Sequence, residues 1–308
     1  MATTESGSNS KSRMGSLGRI TYIPGRTLCL LALSCGLAFG ATTHEVSPQD
    51  ATTSYSPQEV VRRMVNSEIA AQDQDHTKWH FFSRREEGGK VVVQEKVQTV
   101  AGTLRRIVAL NGKPLPPEEL AKESEKLEEF THDRDAQEKR RKEEREDAAK
   151  AKKMFQMFPE AFLYTHAGEE NGLVKLHFVP NPNFDPPTRE AQVFHAMSGM
   201  LWIEPKQMRF AKMQASLLDD VKFGWGILGH LDRGGTMLIE QKEVGPKHWE
   251  IVRMDLNLKG KAVLLKSISV QQKEENYGFE RVPDQMDVGT ALAMLKKPEP
   301  TIALKGGK

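Results

Sequence analysis

Residues 193–217 read VFHAMSGMLWIEPKQMRFAKMQASL, and residues 236–258 read TMLIEQKEVGPKHWEIVRMDLNL. Both are short apolar runs cut by turn signals: Gly199, Glu204-Pro205-Lys206, Gly234-Gly235, Val244-Gly245-Pro246 and Lys259-Gly260-Lys261. Punctuation of this kind at intervals of roughly ten residues marks an antiparallel meander, sandwich or barrel. Val252, Met254, Leu256 and Leu258 alternate with Arg253, Asp255, Asn257 and Lys259, a two-residue period that puts the apolar side chains on one face. Met200 and Trp202 alternate with Leu201 and Ile203, so this strand needs apolar cover on both faces. Met208, Phe210 and Lys212 against Arg209, Ala211 and Met213 is a less regular alternation.

The meander extends over Val193–Val282 as runs at Gln192–Ala196, Met200–Ile203, Gln207–Leu217, Val221–Leu228, Thr236–Val244, His248–Leu258 and Ala262–Lys273. Upstream, Phe162–His166 and Val174–Val179 flank Gly168–Gly172 as a hairpin, and the prolines of 180–187 fix a rigid crossover. Further upstream, Trp79–Arg85 and Lys90–Val100 flank Gly88-Gly89, and Thr103–Leu110 ends at Asn111-Gly112, two hairpin turns. In the second of these strands Val91, Val93, Glu95 and Val97 form one face, with Val92, Gln94 and Lys96 on a face expected to be largely wet. Before them, Ser56-Pro57-Gln58-Glu59 is a helix start, followed by Val60, Val61, Met64, Val65 and Ile69 at helical spacing.

Between the two sets of strands, residues 116–159 are dominated by charges of both signs, with acid-before-base pairs such as Glu118/Lys122 and Glu138/Lys142 that support a helix. Its apolar stripe is thin, so the segment is expected to be a solvated helix or helical hairpin projecting from the sheet, its carboxylates titrating normally in solvent. It ends in Met154, Phe155, Met157 and Phe158 before Pro159, an apolar plug that needs burial.

Of the 308 residues, 44 are basic and 42 acidic, a balance that points to no nucleic-acid partner. The two cysteines, Cys29 and Cys35, both lie in an N-terminal apolar run, which excludes a disulfide framework or a cysteine-ligated metal beyond residue 35. From Met14 the chain has the three parts of an export signal: Arg19 and Arg26, an apolar core over Leu28–Phe39, and Ala38-Phe39-Gly40 before Ala41. That core is shorter than the ~20 residues needed to span a bilayer. The expected product is exported, to the periplasm or the outer membrane, with acylation at Cys35 after Leu33-Ser34 as the alternative. The domain plan is therefore an export signal over 1–40, a tether over 41–57, one β-rich domain over 58–283 with its helical insert, and a C-terminal tail over 284–308. The fold class is α+β, mostly β: a curved antiparallel sheet or incomplete barrel of about ten strands capped by helices, a size typical of curled sheets.

No catalytic motif is complete. Gly224-Trp225-Gly226-Ile227-Leu228-Gly229 has the letters of a dinucleotide fingerprint, but no helix pattern follows it. His230 and Asp232, with Asp219 and Asp220, match no metal-ligand spacing, and His166, His177, His195 and His248 lie on separate strands. No catalytic residue, metal or cofactor is assigned.

Gly199-Met200-Leu201-Trp202-Ile203-Glu204-Pro205 followed by Gln207-Met208-Arg209-Phe210-Ala211-Lys212-Met213 resembles the outer-membrane lipoprotein-sorting and periplasmic lipoprotein-carrier superfamily, over about residues 160–282. The resemblance implies an incomplete barrel around an apolar cavity under a helical lid, and an activity of shielding acyl chains. Trp202, Phe210, Phe223 and Trp225 become cavity-wall candidates, and the alternating Met208 and Met254 join them as adaptable thioethers. Met154, Phe155 and Phe158 become lid candidates. The charged insert and the proline crossover depart from the family pattern, and no lid arginine of the family matches a position here. The expected partner is a lipid or lipoprotein acyl chain. The alternative is an envelope scaffold that grips a protein through residues 118–153.

Overall fold

The computed structural model describes residues 55–223, 229–262 and 266–297. The described residues open with helix α1 (Pro57–Gln74), capped by Ser56, whose hydroxyl accepts from the Glu59 amide. Strands β1 (Lys78–Glu87), β2 (Lys90–Thr99), β3 (Gly102–Leu110) and the two-residue β4 (Lys113–Pro114) follow as hairpins. Gly88 and Gly89, and then Asn111 and Gly112, take positive φ at two of the turns, as a twist-matched two-residue hairpin requires. Helices α2 (Pro117–His132), α3 (Arg134–Gln156) and α4 (Phe158–Ala161) form the charged insert. After β5 (Phe162–Glu170) and β6 (Leu173–Pro180), a 3₁₀ turn (Glu190–His195) leads into β7 (Met197–Glu204) and β8 (Arg209–Leu217). The short β9 (Val221–Phe223) and β10 (Gly229–Leu231) precede three long strands, β11 (Thr236–Gly245), β12 (His248–Ala262) and β13 (Lys266–Val282), and helix α5 (Val288–Leu295) ends the described chain.

All thirteen strands join one antiparallel sheet, in the order β4-β3-β2-β1-β13-β12-β11-β8-β7-β6-β5, with β10 and β9 set on β12. The end strands do not pair with each other, so the sheet is open. The count exceeds the expected ten because β4, β9 and β10 are two or three residues long, too short to show a period. The N-terminal strands and the meander become one sheet through β1 and β13, paired from Lys78↔Val282 to Glu87↔Gln272.

Two positions depart from the expected pattern. Gln192–Ala196 is not a strand: it belongs to the 3₁₀ turn, whose three-residue repeat buries Ala191 and Phe194 together against the Phe158 and Phe162 rings. The irregular alternation around Arg209 is a register shift. Trp202 pairs with Lys212 but Ile203 pairs with Phe210, so one extra residue brings Phe210 and Met213 to the same face.

That face carries the main core. Leu176, Leu201, Ile203, Phe210 and Met213 from the strands meet Val60, Val61, Met64 and Val65 of α1, all buried. The insert does not project from the sheet. Leu127 and Phe130 of α2 pack with α5 on Val97 and Leu104, while Glu144 and Ala148 of α3 are buried on the other side of the same strands. The hairpin of α2 and α3 thus clasps the β3 end of the sheet. The presumed wet face of β2 is also covered, with Lys96 1% exposed.

The C-terminal segment, read from sequence as a tail, carries a capped and packed helix as far as Leu295. Asp287 accepts from the Thr290 amide, and Ala291 and Leu295 are fully buried against Val97 and Leu104. A Leu295→Ala variant should lose about 2–4 kcal/mol of stability, the cost of a cavity at a closed site. Urea unfolding followed by circular dichroism measures it. A loss under about 0.5 kcal/mol, typical of an exposed position, would mean that the segment is a tail after all.

Candidate functional site

Helix α3 starts its contact with the sheet at β3 and finishes at β8. Near its start, Glu144 accepts from the Thr103 amide at 3.3 Å and from the Arg105 guanidinium at 2.8 Å. Near its end, the Phe155 ring meets the Phe210 ring edge-on at 6.2 Å, and Lys152 donates to Asp73 of α1 at 2.8 Å. The eleven steps from Glu144 to Phe155 measure about 17 Å along a helix axis. The six strand spacings from β3 to β8 amount to roughly 29 Å of sheet. Between these two anchors the sheet curves away from the helix, which leaves a hollow between them.

The hollow has a volume of about 680 Å³, inside the range of about 300–1,000 Å³ usual for small-molecule sites. Its roof is the inward stripe of α3, spaced as a helix repeats: Arg141, Glu144, Arg145, Ala148, Ala151, Lys152 and Phe155. The stripe changes from charged to aromatic along the helix, and the floor changes with it. Under the aromatic end lie Phe210, Met213, Met237, Ile239 and Met254. At the charged end the wall is Lys78, Gln98, Thr99 and Thr103. These floor residues converge through register: Met213↔Ile239 and Ile239↔Met254 put three strands' apolar groups in one row. A shift between Glu240 and Gln241 then turns Ile251 toward the same space.

One buried ion pair fixes the α1 wall. Glu68, 1% exposed, accepts from Arg209 Nε and Nη2, each at 2.9 Å, and from the Phe210 amide at 2.8 Å. A carboxylate taken out of water holds its charge only with such a full set of donors. Both residues line the hollow. Glu68 is marked in the sequence as a carboxylate four residues after Met64 and three after Val65, on the apolar face of α1, but its partner was not legible.

Burial raises the Glu144 carboxyl above the usual carboxylate range, against the opposing pull of Arg105, the Thr103 amide, Arg140 and Lys78. The expectation that the insert's carboxylates titrate as in solvent therefore fails for this one, because α3 lies on the sheet.

The residues singled out from sequence divide into four groups. Phe210, Met254, Phe155 and Phe158 do line the hollow. Trp202 does not. It points away with Ala211, the ammonium groups of Lys175 and Lys212 each 5.0 Å from its ring centre, and packs against Trp249, which does line the hollow. Strand alternation places it there, since its neighbours Leu201 and Ile203 take the core side. Met208, in a turn with φ 51°, and Met154 pack against the core without reaching the hollow. Phe223 ends β9 without a described side chain, and Trp225 lies outside the described residues. Phe158 is as much core as lid, its ring edge-on to Phe162 and Phe194 at 5.6 Å each.

Arg209→Met alone should cost about 3–5 kcal/mol, because it strands a buried carboxylate, while the pair Glu68→Leu with Arg209→Met should recover most of that loss. Denaturant unfolding of the two variants decides it; equal losses would show that the ion pair itself carries the stability. A second measurement addresses Glu144. A carboxyl raised in the folded state contributes stability that is present at low pH and lost as pH rises through its folded value. Stability measured relative to Glu144→Gln should therefore fall as pH climbs out of the ordinary carboxylate range, and a difference that stays flat would contradict the burial cost.

No family model matches this chain, and no curated protein matches it. Among solved structures it is similar to a DUF1329 family protein from Desulfovibrio piger, at 10% identity and a TM-score of 0.27 over 79% of this chain and 100% of that one. This likeness does not establish the lipoprotein-carrier relationship.

Proposed function

We propose that this is an exported envelope protein that holds the acyl part of a lipid or lipoprotein, without chemistry on it, in the hollow between α3 and the sheet. The observation that carries the proposal is the aromatic end of that hollow, where Phe155, Phe158, Phe210, Met213, Met237, Ile239 and Met254 converge from three strands and two helices. Each methylene moved there from water contributes about 0.8 kcal/mol, so affinity needs no polar specificity at the tail. Three of the seven residues are methionines, whose unbranched thioethers adapt to chains of different length. The export signal and the carrier-like grammar of residues 199–213 support the same reading. Among the described residues no helix is long and apolar enough to cross a membrane.

Helix α3 roofs the hollow. It is tied at Glu144 and again at Lys152 and Phe155, with alanines at 148 and 151 between. An envelope scaffold gripping a partner through 118–153 has less support, since the apolar positions of that insert, Leu127, Phe130 and Ala148, are already buried within the chain.

The direct test fills the hollow. Met254→Trp should weaken uptake of a fluorescent fatty acid by at least about tenfold, a change of about 1.4 kcal/mol. Trp202→Phe, on the other face, should leave uptake as it was, with thermal melts confirming that both variants fold. If delipidated wild-type protein takes up no acyl probe at all, the carrier proposal is wrong.

A further inference from the structure

The charged end of the hollow is as specific as the apolar end. Its cations outnumber the acids left to meet them. Arg145 has no acidic partner among the described residues, and Arg141 reaches only Glu138, at 3.9 Å on the exposed side of the helix. Lys78 faces the field of Glu144, whose carboxylate is already bonded to Arg105 and the Thr103 amide. The other acids of the lining are engaged too. Asp75 accepts from His248 Nδ1 and from the Thr77 amide, Asp284 pairs with Arg281, Glu68 is held by Arg209, and Glu250 is bonded and buried. Lys152, further along the roof, is neutralised by Asp73. The positive excess is thus confined to the end where α3 begins its crossing, about 15–21 Å along the helix from Phe155.

Resting on the acyl-chain reading above, we infer that the ligand is an anionic amphiphile, its tail beneath Phe155 and its carboxylate or phosphate head at Arg141, Arg145 and Lys78. Guanidinium groups suit either head, since their paired N–H groups match two oxygens of a carboxylate or a phosphate. Gln98, Thr99 and Thr103 add neutral polar side chains at the same end. A neutral head would gain nothing from these cations, which water already hydrates on the open side, where Arg145 is exposed and the Arg141 side chain is 43% exposed. A cationic head would be repelled by them. The gradient along α3 therefore sets orientation, head toward β3 and tail toward β8, as well as ligand class.

Equilibrium dialysis of the purified protein against radiolabelled dodecanoate, dodecyl phosphate and monododecanoylglycerol, below their micellar concentrations, tests this. The two anions are expected to bind more tightly than the neutral glyceride. In Arg141→Gln/Arg145→Gln both anions should weaken by about tenfold while the glyceride is unchanged, the size expected for loss of a charged hydrogen bond. Preference for one anion over the other distinguishes a carboxylate from a phosphate source. Equal binding of all three ligands, with no effect of the double substitution, overturns the headgroup inference and leaves the acyl-binding proposal standing. Binding of none overturns both. Both arginines precede the Lys152 and Phe155 anchors of α3, and a thermal melt of the variant checks that the helix still docks.

Discussion

A helix shorter than the arc of sheet beneath it is the constraint from which the other features follow. Were α3 anchored to neighbouring strands, its inward stripe would pack flat and the space would close with side chains. Anchored instead at β3 and β8, it spans a sheet that curves away between them, and the apolar rows of β8, β11 and β12 become a lining rather than a sealed core. The helix bridges the interior of a sheet whose end strands, β4 and β5, do not pair with each other among the described residues.

Charge is used inside this protein to a degree that its balanced composition does not suggest. Lys96 and Glu274 bridge β2 and β13 at 3.3 Å, with Ser83 donating to the same carboxylate. Burial alone would push the Glu274 carboxyl up, but Lys96 and Ser83 outweigh it and bring it below its usual range. On the opposite face, Glu95 joins His80 and Arg106 at 2.9 and 2.8 Å. There burial opposes protonation of His80, yet Glu95 and Glu280 raise it. Such pairs add little net stability compared with apolar residues of the same size, because two charges lose their hydration. They do discriminate between registers: a slip of one residue would carry each charge to the other face, away from its partner. Most of them sit on β1, β2 and β13, with Arg106 on β3, where the N-terminal hairpins meet the last strand of the meander, the pairing most distant in sequence.

The local signals in the chain were decisive wherever a single residue type dictates backbone geometry. Ser56-Pro57, Gly88-Gly89 and Asn111-Gly112 give a cap and two hairpin turns at the positions where they act. Failures came where the outcome depended on a contact with a distant segment. The α5 helix has too few residues to announce itself, and it persists because α2 and β2 bury it. The one-residue shift at Trp202 rotates every later side chain on β8 relative to β7, and no turn residue marks it. Of the candidate site, Phe155, Phe158, Phe210 and Met254 were identifiable as large apolar groups without an obvious home. Glu68, Arg209, Glu144 and the cations of α3 were hidden among residues that resemble an ordinary charged surface.

The sequence by itself determined the elements: hairpins with their turns, two-residue alternation in the meander, the export-signal pattern, and a long helix of mixed charge ending in an aromatic plug. Period and turn chemistry are local, so each is written within a few residues. Only the tertiary structure decided that the charged helix lies across the sheet rather than in solvent, that Trp202 turns away from the hollow, and that the hollow has an apolar and a cationic end. Those outcomes depend on where β3 and β8 lie relative to each other in the sheet. That distance is set by β1 finding β13, a pairing between residues nearly two hundred positions apart that no local pattern encodes.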